Sequence, residues 1–274
     1  MLLLIILLYN NCKAININKN FNQVCWLTTH NSFASSTYNW VYNQQSLSIE
    51  DQLDYGVRAL MIDLWWHNNQ IYMLHGGIHL SRIQKWSKID TFEKLLIDIK
   101  KWLDNNPNEI VTLIIESYLN TTGGNEIMRL LKKNDMDKML YNPSRIQLLN
   151  NKWNKISDMI ANNTRLVIMS RNIYDQVIYD DDVIIENDWS DNEDGDKFFK
   201  TNGNIYIFNH FKKASLHPYK KYNSFTHIMQ RMINAYKIIH KFPNFLAVDF
   251  VQVGDSKKVV EFLNTNPTFT NYYL

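Results

Sequence analysis

His30 and Asn31 follow a short apolar run at residues 24–29, and His75 ends another at 71–75. Two imidazoles can share acid–base transfer: one removes a proton from a nucleophile, the other protonates a leaving oxygen. An unperturbed pKa of about 6.5 lets both roles run near neutrality. Asp63, Glu116, Ser170-Arg171 and Asp249 stand at the ends of four more apolar runs. A carboxylate such as Asp249 can hold one imidazole in the useful tautomer. Asn31, Asp63 and Glu116 offer oxygen donors, which suit a hard cation such as calcium or magnesium. The forked donors of Arg171 match a phosphate. Base, acid, cation and guanidinium together describe a site that cleaves phosphodiesters. Taken singly, each residue says little. A histidine at a strand end is more often a structural hydrogen-bonding group, and an aspartate there more often forms a turn or cap. The weight lies in their joint placement.

Such placement needs elements that bring distant residues to one level. Runs at 24–29, 57–63, 71–75, 110–116, 165–170, 205–209 and 245–250 read as strands. Residues 110–116 and 165–170 are nearly unbroken apolar runs, as in strands buried on both faces. Helical patterns lie between them at 48–55, 90–104, 124–133, 153–162, 225–240 and 256–264. Ser48 and Asp51 form a cap-like opening. In 90–104, Phe92, Leu95, Leu96, Ile99 and Leu103 share one face, and Asp90 is the expected N-cap. Strands alternating with helices predict an α/β fold with a parallel sheet, and this many strands favour a closed barrel. The C-terminal ends of barrel strands face one mouth, where all the residues above would then meet. The acidic segment 180–196 fits no EF-hand register and is expected to be a solvated loop, a lid over the strand ends. No Pro- or Gly-rich linker divides residues 15–274, so one domain is expected.

Composition narrows the partners. The 274 residues carry 29 basic and 27 acidic side chains, a formal charge of +2. That excludes the strong basic field of a nucleic-acid binder. The aromatic share of 13% fits either a large core or aromatics at a membrane surface or substrate mouth. Residues 2–8 are a continuous aliphatic run, and Cys12-Lys13-Ala14 is a small-x-small pattern. They read as a secretory leader, residues 1–14, although only the terminal amine supplies positive charge ahead of the apolar run. The run is too short to span a bilayer and no other segment reaches that length. A secreted monomer is expected. Loss of the leader would leave Cys25 alone in an apolar run, a small buried filler. Asn120-Thr121-Thr122 and Asn162-Asn163-Thr164 match glycosylation sequons, a weak sign in so Asn-rich a chain.

The stretches LTTHNSFA, GVRALMIDLWW, MLHGG, EIVTLIIESYL and PNFLAVDF resemble the X-domain of phosphatidylinositol-specific phospholipase C. The likeness is greatest to its small single-domain branch, the PLC-like phosphodiesterases, and runs from about residue 20 to 262. The resemblance implies a distorted TIM barrel that cleaves the glycerol–phosphate bond of inositol lipids. It makes His30 the base that deprotonates the inositol 2-hydroxyl for attack on phosphorus. His75 becomes the acid for the diacylglycerol oxygen, and Asp249 the partner of His30. Asn31, Asp63 and Glu116 match cation ligands of calcium-dependent members, favouring calcium over magnesium. Arg171 matches a basic residue near the phosphate or inositol. Met61 departs from the acidic ligand of the eukaryotic enzymes, and Asp63 stands where metal-independent members carry arginine. The implied partner is a phospholipid at a membrane surface, met by rim residues such as Trp65 and Trp66. Those two could instead line the substrate site or pack into the barrel top. Alternatives are a sphingolipid or lysophospholipid substrate, or a catalytically weak lipid- or sugar-binding protein. If His30 and His75 work as a pair, their rings should lie across a gap of roughly 5–8 Å, room for one reacting group bonded to each.

Overall fold

The computed structural model describes residues 15–40, 42–75, 91–189, 193–212, 219–266 and 269. The expected leader, the expected cap Asp90, Gly76 and Gly77 lie outside them. Ten strands form one sheet: β1 Trp26–Thr29, β2 Ala59–His67, β3 Gln70–Met73, β4 Val111–Tyr118, β5 Leu166–Ser170, β6 Ile178–Tyr179, β7 Ile184–Asn187, β8 Phe198–Lys200, β9 Ile205–His210 and β10 Phe245–Val248. The helices are α1 Ile49–Tyr55, α2 Phe92–Asn105, α3 Thr121–Lys133, α4 Arg145–Leu149, α5 Ile156–Ala161, α6 Tyr219–Tyr222, α7 Phe225–Ile239 and α8 Ser256–Thr265.

The strand order is β6-β5-β4-β2-β1-β10-β9-β7-β8, with β3 paired to β2 outside that path. From β6 to β7 every pairing is parallel. This is the curled α/β sheet of a distorted TIM barrel. Among the described residues no backbone ladder joins its two margins, so over them the sheet is curled but not the closed ring that the strand count favoured.

Alternation along the strands sorts the side chains into two clusters. Leu27, Leu60, Leu113, Ile168, Phe208 and Leu246 pack outward against Leu95, Leu131, Met232 and Leu263 of the helices. Trp26, Ala59, Ile114, Val167, Ile207 and Ala247 form the inner cluster. Every residue of β1, β5, β7, β9 and β10 is buried, which is why these runs show no polar alternation. The inner parity, continued upward, carries His30, Asp63, Glu116, Arg171, Glu186, Asn209 and Asp249. A one-residue slip in any strand would turn its member outward.

Three further expectations change. The acidic segment holds β7, whose residues are all buried and pair with β9. The four residues Ile184–Asn187 are enough for a buried strand, and the flanking aspartates conceal it. The cap of α2 is Thr91, whose hydroxyl accepts from the Lys94 amide. Finally, β3 runs antiparallel to β2. Asn68 and Asn69 have φ of 46° and 60°, the left-handed pair of a tight hairpin. The remaining expected helices and strands are present within a few residues of their read boundaries, and Cys25 is buried.

Candidate active site

His30 continues the β1 ladder by one bond, its amide donating to Val248 O at 3.0 Å. The chain then turns at Asn31, φ 42°, a conformation asparagine tolerates better than most residues. Ser32 pins the turn: its amide donates to Met61 O at 3.0 Å and its hydroxyl to Thr29 O at 2.9 Å. Across the β1–β10 seam, Gln45 Nε2 donates to His30 O at 2.9 Å and to Val248 O at 3.0 Å. That buried carboxamide clamps the two strand ends that carry His30 and Asp249. Phe250, just past Asp249, has φ 46°, a strained value for a bulky residue. Its amide is tied to Gln44 O at 2.8 Å.

His75 arrives by an unexpected route. It is not at the end of a parallel strand; β2 runs past Asp63 to His67, and the hairpin brings β3 back down. Leu74 N then donates to Asp63 O at 3.2 Å, which sets His75 beside Asp63. The two rings lie 6.4 Å apart between centroids, at 85° to one another.

Each imidazole has a carboxylate. His30 Nδ1 is 2.8 Å from Asp249 Oδ1, and Asp249 is 1% exposed. Phe211 stacks flat on the His30 ring at 3.6 Å. His75 Nδ1 is 3.2 Å from Asp63 Oδ2. That bond raises the His75 pKa above its ordinary value, against burial, which lowers it. Asn31 Nδ2 sits between the rings, 3.1 Å from His30 Nε2 and 3.0 Å from His75 Nδ1. With a hydrogen on Nδ1 facing Asp249, His30 Nε2 is left as an acceptor. His75 Nδ1 cannot donate to Asp63 and accept from Asn31 at once. It serves Asp63 when it carries a hydrogen and Asn31 when it does not.

Asp63 and Glu116 are register partners on β2 and β4. Two pairs further along, on the same face, Trp65 stacks on Tyr118 at 4.1 Å, and the Tyr118 hydroxyl donates to Glu116 Oε1. Burial, then Glu116, raises the Tyr118 pKa. Trp66 points the other way. It packs against the outer core and Gly123, so it is a packing residue rather than a rim contact.

Arg171 sits just past β5 and is engaged. Its Nη2 donates to Glu186 Oε2 at 2.6 Å, and Nε lies 3.9 Å from Asp180 Oδ2. Glu186 Oε1 accepts from Asn209 Nδ2 at 2.9 Å. Burial lowers the Arg171 pKa, but Glu186, Asp180 and Glu116 together raise it further. Burial pushes the Asp180 carboxyl up to about 7, against the pull of Arg171. The folded chain therefore holds a proton there that the unfolded chain releases near pH 4, and stability falls as pH rises from about 4 to about 7. Asp180→Asn should remove this slope. Urea denaturation at pH 8 should find the variant about 1–3 kcal/mol more stable than wild type, with the two converging below pH 4.

The structure thus brings His30, Asn31, Asp63, His75, Glu116 and Asp249 together at one rim, with Trp65 and Arg171 on the same inner parity. Sequence reasoning passed over Gln45, Glu186, Asn209, Phe211 and Tyr219. Gln45 and Tyr219 lie in loops or short turns without periodicity. Glu186 and Asn209 were readable only by continuing the inner parity of β7 and β9.

Comparison with known proteins bears on this arrangement. A PI-PLC X domain-containing protein of Arabidopsis thaliana is 26% identical over 270 residues, covering 89% of this chain and 62% of the relative. The chain thus spans under two thirds of that relative's length. The solved phosphatidylinositol-specific phospholipase C of Listeria monocytogenes superposes with a TM-score of 0.64 at 15% identity, over 92% of this chain and 97% of that one. The Staphylococcus aureus phosphatidylinositol-specific phospholipase C gives 0.57 at 14%, over 90% and 94%. At such identities these two likenesses speak for the fold. The family model described as PI-PLC X 1 matches residues 16–264, and by that match the chain belongs to the PI-PLC X family.

Proposed function

We propose that the chain is a secreted phosphodiesterase that cleaves the glycerol–phosphate bond of phosphatidylinositol-type lipids at a membrane surface. One observation carries the reading: imidazoles 45 residues apart in the chain stand 6.4 Å apart at one rim, each backed by its own carboxylate. In this reaction His30 Nε2 takes the proton of the inositol 2-hydroxyl. That oxygen attacks phosphorus, the bond from phosphorus to the diacylglycerol oxygen breaks, and His75 gives that oxygen its proton. The products are a cyclic inositol phosphate and diacylglycerol. His75 must start protonated, and the Asp63 bond that raises its pKa favours that form.

Asp63 and Glu116, with Asn31 beside them, fit a hard divalent cation, calcium before magnesium. Met61 packs against the inner core where a further acidic ligand would stand. Among the described residues no group of three or more His, Cys, Asp or Glu is placed to hold a metal alone. Two carboxylates and a carboxamide would therefore need solvent and substrate oxygens to complete the shell. A bound cation would offset negative charge gathering on the phosphate oxygens. Trp65 and Arg171 are assigned to the headgroup, and the exposed Ile173 and Trp189, which follow β5 and β7, to the lipid surface. No described helix is long and apolar enough to cross a membrane.

The test is turnover of phosphatidylinositol vesicles, with products followed by phosphorus NMR. A cyclic phosphate should appear first, and a chelator should lower the rate at least about ten-fold, restored by calcium. If no inositol phosphate is released, the assignment fails. A rate indifferent to chelation would remove the cation alone.

A further inference from the structure

If His30 is the base, the orientation of Asp249 decides whether its acceptor nitrogen faces the substrate. We propose that Tyr219, on α6, is a positioning residue that fixes the Asp249 carboxylate and through it the His30 ring. The inference rests on the functional reading above, and its test separates the two.

Asp249 is buried, and its oxygens have different partners. Oδ1 faces His30 Nδ1 at 2.8 Å, and Oδ2 accepts from the Tyr219 hydroxyl at 3.2 Å. Its main-chain carbonyl accepts from Asn223 Nδ2 at 2.9 Å. Asn223 is held in turn, its own carbonyl accepting from the Asp255 amide at 2.7 Å. Gly254 allows this close pass: a Cβ there would lie 2.5 Å from Asn223 O. So α6 and the residue after it grip Asp249 at both its side chain and its backbone.

Without the Tyr219 hydroxyl, Oδ2 would be a buried carboxylate oxygen with a lost donor, and the carboxylate would be free to turn about Cβ–Cγ to recover one. His30 could not follow, because its ring is stacked on Phe211. The Nδ1–Oδ1 bond would lengthen or bend. Tyr219 itself is well placed for this task. It is 8% exposed and its ring packs on Phe250 at 4.6 Å. Burial, then Asp249, raises its pKa, so it remains a donor.

Tyr219→Phe keeps the ring packing and deletes only the donor. Against phosphatidylinositol vesicles its kcat should fall about 10- to 100-fold, with KM changed less than about two-fold. The low-field resonance of the His30 Nδ1 hydrogen, assigned by its absence in His30→Ala, should shift upfield or broaden. The thermal midpoint should stay within about 3 °C of wild type. A variant with wild-type kcat and an unmoved resonance overturns the proposal. So does a fall in kcat with the resonance in place, since that is the mark of packing alone. If wild type turns over no phosphatidylinositol, the functional reading has failed, while the resonance still decides whether Tyr219 orients the pair.

Discussion

His30→Ala should lower kcat on phosphatidylinositol by about 10³- to 10⁴-fold, the upper range for loss of a positioned general base. The inositol hydroxyl is a poor nucleophile with its proton in place, and no second described side chain replaces Nε2 there. Asn31 touches that nitrogen but has no basic atom to offer. The cost to stability should be much smaller, about 1–3 kcal/mol, because Asp249 loses one hydrogen-bond partner yet keeps Tyr219 and Asn223. Circular dichroism should therefore show a folded variant. Retention of more than a tenth of wild-type kcat in a folded protein would move the base elsewhere.

His75→Ala should cost about 10²- to 10⁴-fold on the same lipid, and the loss should depend on the leaving group. Diacylglycerol leaves as an alkoxide unless it is protonated, whereas a nitrophenolate leaves unaided. With a nitrophenyl ester of inositol phosphate, His75→Ala should retain far more of its activity, within about ten-fold of wild type, while His30→Ala stays disabled on both substrates. That contrast separates acid from base in a way that two equal losses would not. Equal deficits of His75→Ala on both esters would assign His75 a role other than proton donation.

Much of this architecture was legible because buried parallel strands announce themselves. Residues 110–116 and 165–170 have nowhere to go but a sheet covered on both sides, and the residues at their ends had to share a rim. His75 was read at the right rim for the wrong reason. Its apolar run resembles a parallel strand, but Asn68 and Asn69 permit a hairpin, and pairing to β2 decides the direction. β7 was hidden because four residues amid aspartates carry too little hydrophobic signal for their burial to be inferred locally. Its burial depends on β9, which pairs with it from about 20 positions downstream. Phe211 and Tyr219 were illegible for a different reason. What they do for His30 follows from contacts between distant segments, and no local spacing encodes those.

The two margins of the curled sheet face each other at β5–β6 and β7, and there the bond from Arg171 to Glu186 spans the join. A row of amide–carbonyl bonds has no substitute partner, but a guanidinium can change carboxylate for phosphate. An anion that takes the Nη2 edge of Arg171 competes there with Glu186, and the displaced carboxylate keeps the Asn209 amide. At that edge, entry of a charged guest and loosening of the join become one exchange.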